Sequence, residues 1–119
     1  MHQPERYIIS EAADRCGLSV HQIRTYLEMQ LVRACGATQG GFRLFDDRCI
    51  ERLKLISSCR DAGLGLAEIT DFIRAVDSGN AKQCRAAERR MRHTIVDKQT
   101  ALQRCIQRMQ ATRETEFSV

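Results

Sequence analysis

Tryptophan is missing from this 119-residue chain, and the remaining aromatics, two Tyr and four Phe, amount to 5%. Any core must therefore be built from Leu, Ile, Val, Ala and Met. The single proline, Pro4, precedes all of the patterned sequence, so no later segment is barred from helix by proline. No stretch approaches the ~18 apolar residues of a membrane span. The first ten residues, MHQPERYIIS, lack the apolar core of a signal peptide, so a cytoplasmic address is expected. In that compartment the six cysteines should be reduced. None of them forms a C-x-x-C pair, so no local zinc cage is expected. Also missing are a nucleophile–base arrangement, a phosphate-cradling glycine loop and a pocketed carboxylate pair. An enzyme is not expected.

Hydrophobic residues at 43% and charged residues at 29% suit a folded chain of one domain and a little more. A chain of this size buries roughly two-thirds of its unfolded surface, enough for one modest core. The net charge of +4 nominates an acidic partner, and 16 of the 19 basic residues are Arg, suited to forked phosphate contacts. The excess is uneven. Residues 1–45 carry five basic and four acidic groups, whereas residues 81–110 carry eight and two.

Glycines punctuate helical spacing along the chain. Ser10 is expected to cap a short helix carrying Ala12, Ala13 and Cys16, which Gly17 ends. Ser19 and Gln22 form a capping-box pair opening a helix with Val20, Ile23 and Leu27 on one face. Two short helices about Gly17-Leu18-Ser19 make a helix-turn-helix pattern. Leu31-Val32-Arg33 and Phe42-Arg43-Leu44-Phe45 flank a loop ending in Gly40-Gly41, which predicts a small hairpin, or wing. Asp46 then caps a helix with Ile50, Leu53, Ile56 and Cys59 in register, ended by Gly63. A fourth helix runs from Leu66 to about Val76, and residues 77–80 form a turn. Residues 81 to about 109 read as one uninterrupted helix. Its stripe of Met91, Ile95, Leu102, Cys105, Ile106 and Met109 at near-heptad spacing requires a partner helix, most economically a second copy.

Three motifs in order, Ser19-Val20-His21-Gln22-Ile23-Arg24-Thr25-Tyr26-Leu27, Gly41-Phe42-Arg43-Leu44-Phe45-Asp46-Asp47 and Arg60-Asp61-Ala62-Gly63-Leu64-Gly65-Leu66-Ala67-Glu68-Ile69, resemble the MerR family of transcriptional regulators. Within that family the pattern is similar to its mercury-resistance co-regulators. The resemblance implies a mainly α fold: a winged helix-turn-helix head (residues 1–76), a turn, a long antiparallel coiled-coil dimerisation helix (81–110) and a short tail (111–119). It implies a homodimer on a pseudo-palindromic promoter or operator in double-stranded DNA. A related activator and RNA polymerase are further implied partners, with no membrane. Arg24, Tyr26 and Arg43 match positions where the family contacts the DNA backbone. Ser19, which opens the helix, is a further DNA-binding candidate, and His21 and Gln22 in its first turn are the base-reading candidates.

Cys84 matches a metal-ligand cysteine of the family's mercury sensor, but the residues after Met109 contain no cysteine to complete that site. In an antiparallel pair centred near residue 95, Cys84 of one chain would approach Cys105 of the other. Two thiolates could hold a soft ion such as Hg(II), although small buried hydrophobes are the favoured role and no cofactor is the expectation. Cys16 and Cys59 fall on apolar helix faces, and Cys35 and Cys49 match no ligand position in the family. Two alternatives stay open: a metal- or thiol-responsive activator using Cys84 and Cys105, and an anti-activator that works by protein contact without DNA.

Overall fold

A computed structural model describes residues 5–118. Glycine and cap chemistry set the helix boundaries. Strand β1 (Arg6–Tyr7) leads into α1 (Ile9–Cys16), and α2 (Val20–Glu28) follows across a tight turn. Strands β2 (Gly36–Ala37) and β3 (Arg43–Asp46) form the wing, ahead of α3 (Asp47–Asp61), α4 (Leu66–Asp77) and α5 (Ala81–Phe117). The three short strands form an antiparallel sheet in the order β1-β3-β2. The chain is divided into two compact units, one up to Arg74 and one from Ala75.

Within the first unit, Ala12, Ala13 and Cys16 of α1, Ile23 and Tyr26 of α2, Phe45 of β3 and the Ile50, Leu53, Ile56, Cys59 stripe of α3 are buried together. Ile69 and Ile73, one turn apart on α4, are buried as well. Each of the larger aliphatic side chains contributes about 1.5–3 kcal/mol through removal from water. Gly17 ends α1 in a left-handed conformation (φ 65°), where an L side chain would cost roughly 1–2 kcal/mol. Asp46 caps α3 by accepting the Cys49 N–H at 3.0 Å. That bond, the first of several from backbone and side chain at the helix start, holds the Asp46 carboxyl below its usual range.

The structure departs from the sequence pattern in four places. The cap of α1 is Ile8, whose N–H donates to Glu11 at 3.0 Å, and Ser10 lies one residue inside the helix. The first wing strand is Gly36–Ala37 and not Leu31–Arg33. Leu31 and Val32 are 1% and 2% exposed, so they plug the core, where a hairpin strand would have presented alternate faces. The chain reaches them because Gln30 takes the left-handed conformation (φ 60°). There the Gln30 N–H donates to Leu27 O (3.1 Å) and the Leu31 N–H to Tyr26 O (2.9 Å), the pairing that usually recruits glycine. Third, β1, which the sequence pattern did not suggest, pairs Arg6 with Asp46 and Tyr7 with Phe45.

The fourth departure concerns the second unit. Helix α5 continues through the expected tail to Phe117, 37 residues or about 56 Å. Nothing between Gln110 and Phe117 breaks a helix, and Thr115 returns its hydroxyl to Ala111 O at 2.9 Å. Asn80 caps its start through Gln83 N–H at 3.1 Å. At 100° per residue, Met91, Ile95, Leu102, Ile106 and Met109 fall within an arc of about 60°. Met91 and Ile95 are half-buried, and Leu102 (66%), Ile106 (49%) and Met109 (65%) stand exposed. Among the described residues, no helix is long and apolar enough to cross a membrane.

Candidate nucleic-acid interface

Helix α2 begins with the reciprocal cap expected of Ser19 and Gln22. The Gln22 N–H donates to Ser19 Oγ at 3.0 Å, and the Ser19 N–H donates to Gln22 Oε1 at 2.8 Å. Such caps contribute about 1 kcal/mol and fix where the helix starts. Gln22 is half-buried with its carboxamide oxygen committed, so only its –NH2 is left to donate outward. His21 and Arg24 are exposed one turn apart, and Thr25 turns its hydroxyl back to His21 O at 3.1 Å. Glu28 is also exposed, one turn beyond Arg24.

Tyr26 sits differently from a free phosphate donor. Its ring is 1% exposed in the core, and its hydroxyl oxygen accepts a 3.4 Å bond from Arg60. The helical period that sends Arg24 outward sends Tyr26 inward, two residues and about 200° away. The tyrosine anchors α2, and Arg60 is a charged neighbour that the sequence pattern did not single out.

The wing brings Arg43 to the same place as Arg24. The hairpin tip closes through Thr38 N–H to Phe42 O (2.8 Å), Gly41 N–H to Thr38 O (2.9 Å) and Phe42 N–H to Thr38 Oγ1 (3.1 Å). Gly41 has φ 87°, which makes glycine the natural residue there. A cavity of about 540 Å³ then opens between the start of α1 (Ile8, Ile9, Ser10), α2 (Arg24, Leu27, Glu28) and the wing (Gly41, Phe42, Arg43). Two exposed arginines and the start of a helix line it, donors of the kind a phosphate oxygen uses, together with the exposed Glu28 carboxylate. Phe42, 68% exposed, and Ile8, 39% exposed, give the rim an apolar side that fits a deoxyribose. Among the described residues neither arginine has an ion-pair partner, Asp46 and Asp47 included. Ser19, His21 and Gln22 do not line this cavity. They lie at the other end of the same helix, so the exposed part of α2 offers two stations, one polar and one cationic.

The cysteines nominated as ligands, Cys84 and Cys105, are half-buried and exposed. Twenty-one residues of helix separate them, about 31 Å, so one chain cannot use both for one ion. Among the described residues no three His, Cys, Asp or Glu side chains gather closely enough to hold a metal.

Comparison with known proteins follows the same outline. Residues 7–76 match the family model described as MerR HTH family regulatory protein, and residues 50–115 match the one described as MerR, DNA binding. The HTH-type transcriptional regulator MerD of Shigella flexneri is 33% identical over 96 residues, covering 81% of this chain and 80% of its own. A putative MerR family regulator from Listeria monocytogenes superposes with a TM-score of 0.82 at 18% identity, covering 94% of this chain and 87% of that one. HiNmlR, a MerR family regulator lacking the sensor domain and bound to promoter DNA, superposes with a TM-score of 0.72 at 21% identity, covering 87% and 80%. With both family models matched over more than half its length and a relative one-third identical, this chain belongs to the MerR family of DNA-binding transcriptional regulators and is not an enzyme.

Proposed function

We propose that the chain is a MerD-like co-regulator of a mercury-resistance operon that binds the promoter or operator as a homodimer. The observation that carries the DNA-binding mode is the convergence of Arg24 and Arg43 on one cavity at the start of α1. That arrangement suits one backbone phosphate per head, with His21 and the free amide of Gln22 left to read base edges. Dimerisation is supported by the exposed Leu102, Ile106 and Met109, an apolar stripe that a second α5 would cover and that Met91, Ile95 and Cys105 extend. A two-fold dimer implies a pseudo-palindromic site. The co-regulator branch is favoured by the likeness to MerD along four-fifths of both chains. In this reading the protein works in the cytoplasm without a resident cofactor. It opposes activation by competing for the operator or by joining a related activator and RNA polymerase there, and Cys84 and Cys105 serve packing.

Footprinting on DNA upstream of its own operon, with and without mercury, tests the reading. Protection of a symmetric site that weakens steeply with salt is expected. Absence of selective, salt-sensitive binding would favour the anti-activator that works by protein contact alone.

A further inference from the structure

Two cysteines outside the proposed DNA face, Cys35 and Cys49, lie near one another at the base of the wing. Gly36 is registered with Leu44, yet the preceding Cys35 also donates its N–H to Leu44 O at 2.9 Å. Two residues of one strand thus share one partner, a β-bulge, which re-aims the side chain at the bulge. The Cys35 thiol donates to that same carbonyl at 3.3 Å. Cys49, in the first turn of α3, donates its thiol to Arg33 O at 3.2 Å, and its N–H is held by Asp46 at 3.0 Å. Arg33 precedes Cys35 by two residues, a span of at most about 7 Å of chain. Leu44 lies two residues before Asp46, the cap of the helix that carries Cys49. The Cys49 thiol is therefore bonded two residues from Cys35, and the Cys35 thiol five residues from Cys49.

The proximity has an electrostatic mark. Burial first, then the Asp46 carboxylate, with the charge of Cys35 adding to them, push the Cys49 thiol up to about 11. Packing does not account for the pair. Cys16 and Cys59 are buried, whereas Cys35 is exposed and Cys49 half-buried.

We infer that Cys35 and Cys49 form a two-thiolate site for a soft cation that accepts two sulfur ligands, of the class of Hg(II), Ag(I) or Cu(I). Loading requires the exposed Cys35 side chain to rotate about χ1 away from Leu44 O, which breaks only a weak S–H···O bond. Two S–H bonds are exchanged for two sulfur–metal bonds, both protons leave to solvent, and nothing is oxidised or reduced. Ions that need four ligands are disfavoured, because no third His, Cys, Asp or Glu joins the pair among the described residues. The bound ion would fasten the 33–35 segment to the start of α3 and so stiffen the wing at its root. None of this depends on which operon the protein serves.

The test uses the full chain carrying Cys84→Ser and Cys105→Ser, which removes the thiols of α5. Hg(II) is titrated in the presence of a large excess of glutathione, so that a single thiol cannot retain it. After the glutathione is removed by gel filtration, one ion held per chain and two native-state thiols lost to a chromogenic disulfide reagent are expected. Adding Cys35→Ser or Cys49→Ser should lower retention by roughly 100-fold or more, the advantage of a second ligand on the same molecule. Cys35 is exposed, so its variant tests the site even if Cys49→Ser perturbs the fold. Retention unchanged by Cys35→Ser, or no retention in the Cys84→Ser, Cys105→Ser protein, overturns the inference.

Discussion

If Arg24 and Arg43 hold one phosphate together, removing both should lower the salt dependence of operator binding by little more than removing either. Each neutralised phosphate contributes about 0.9 to the slope of log affinity against log salt on duplex DNA. A dimer presents two heads, so a shared phosphate per head is worth about 1.8 for the whole operator. Two separate phosphates per head would be worth about 3.6. Between 50 and 200 mM salt the first figure corresponds to a differential loss of about 12-fold and the second to about 150-fold, so the two are easily told apart. The cavity at the start of α1, lined by both side chains, selects the first. Arg24→Ala, Arg43→Ala and the double variant would be titrated onto labelled operator by fluorescence anisotropy at four salt concentrations. A strongly sub-additive pair of slopes is expected, with a double-variant deficit near 1.8. Additive slopes near 3.6 would mean that the arginines grip different phosphates. Unchanged slopes in all three variants would remove this face from the DNA altogether.

Three further outcomes follow from other parts of the molecule. Gln30→Gly should stabilise the head by about 0.5–1 kcal/mol, because glycine relieves the left-handed backbone there; thermal unfolding would show a midpoint roughly 2–6 °C higher, and a lower one would contradict the strain. If the proposed homodimer forms through the apolar stripe of α5, Leu102→Asp with Ile106→Asp should give a monomer in sedimentation velocity while the circular dichroism of the head persists, and a dimer that survives both changes would move the interface elsewhere. The Tyr7 hydroxyl donates to Glu5 at 2.6 Å and to Asp47 at 3.2 Å, and the Glu5 bond, followed by burial, raises it to about 12. The unfolded chain ionises near 10, so this contribution is complete below about pH 10 and disappears as pH rises toward 12. Urea titrations of wild type and Tyr7→Phe should therefore converge across that window, and parallel curves would argue against it.

Local chemistry carried most of what the sequence announced. Ser19 with Gln22, Asp46 and Gly17 each act within three or four residues of themselves, so their roles follow from spacing alone. The readings that failed depended on distant partners. Ser10 is as good a cap as Ile8 is a poor one, yet β1 pairs Tyr7 with Phe45 and thereby decides where α1 must start. Leu31 and Val32 look like a strand because they are apolar and adjacent, and only the core they plug makes them a loop. Tyr26 is a different case: the likeness to a motif concerns its hydroxyl, while its spacing from an exposed arginine already points its ring inward. The end of α5 was placed where the apolar stripe fades, although helix persists wherever nothing breaks it. Of the cationic site, each arginine was legible singly, but that they share one cavity is a property of the folded head. The nearness of Cys35 to Cys49 was equally hidden, since it arises from a strand bulge fourteen residues before Cys49.

Gln22 carries a constraint of another kind. Its carboxamide oxygen closes the cap of α2, which leaves only the –NH2 of a half-buried side chain for any other partner. A change of operator preference through this position would therefore be entangled with the integrity of the helix that delivers it. Glu would keep the cap but present carboxylate to a polyanion, and shorter or apolar residues would leave the Ser19 N–H without its acceptor. Divergence of target sequence within such a scaffold should run through His21, whose side chain carries no structural duty, and leave position 22 as the hinge on which retuning stalls.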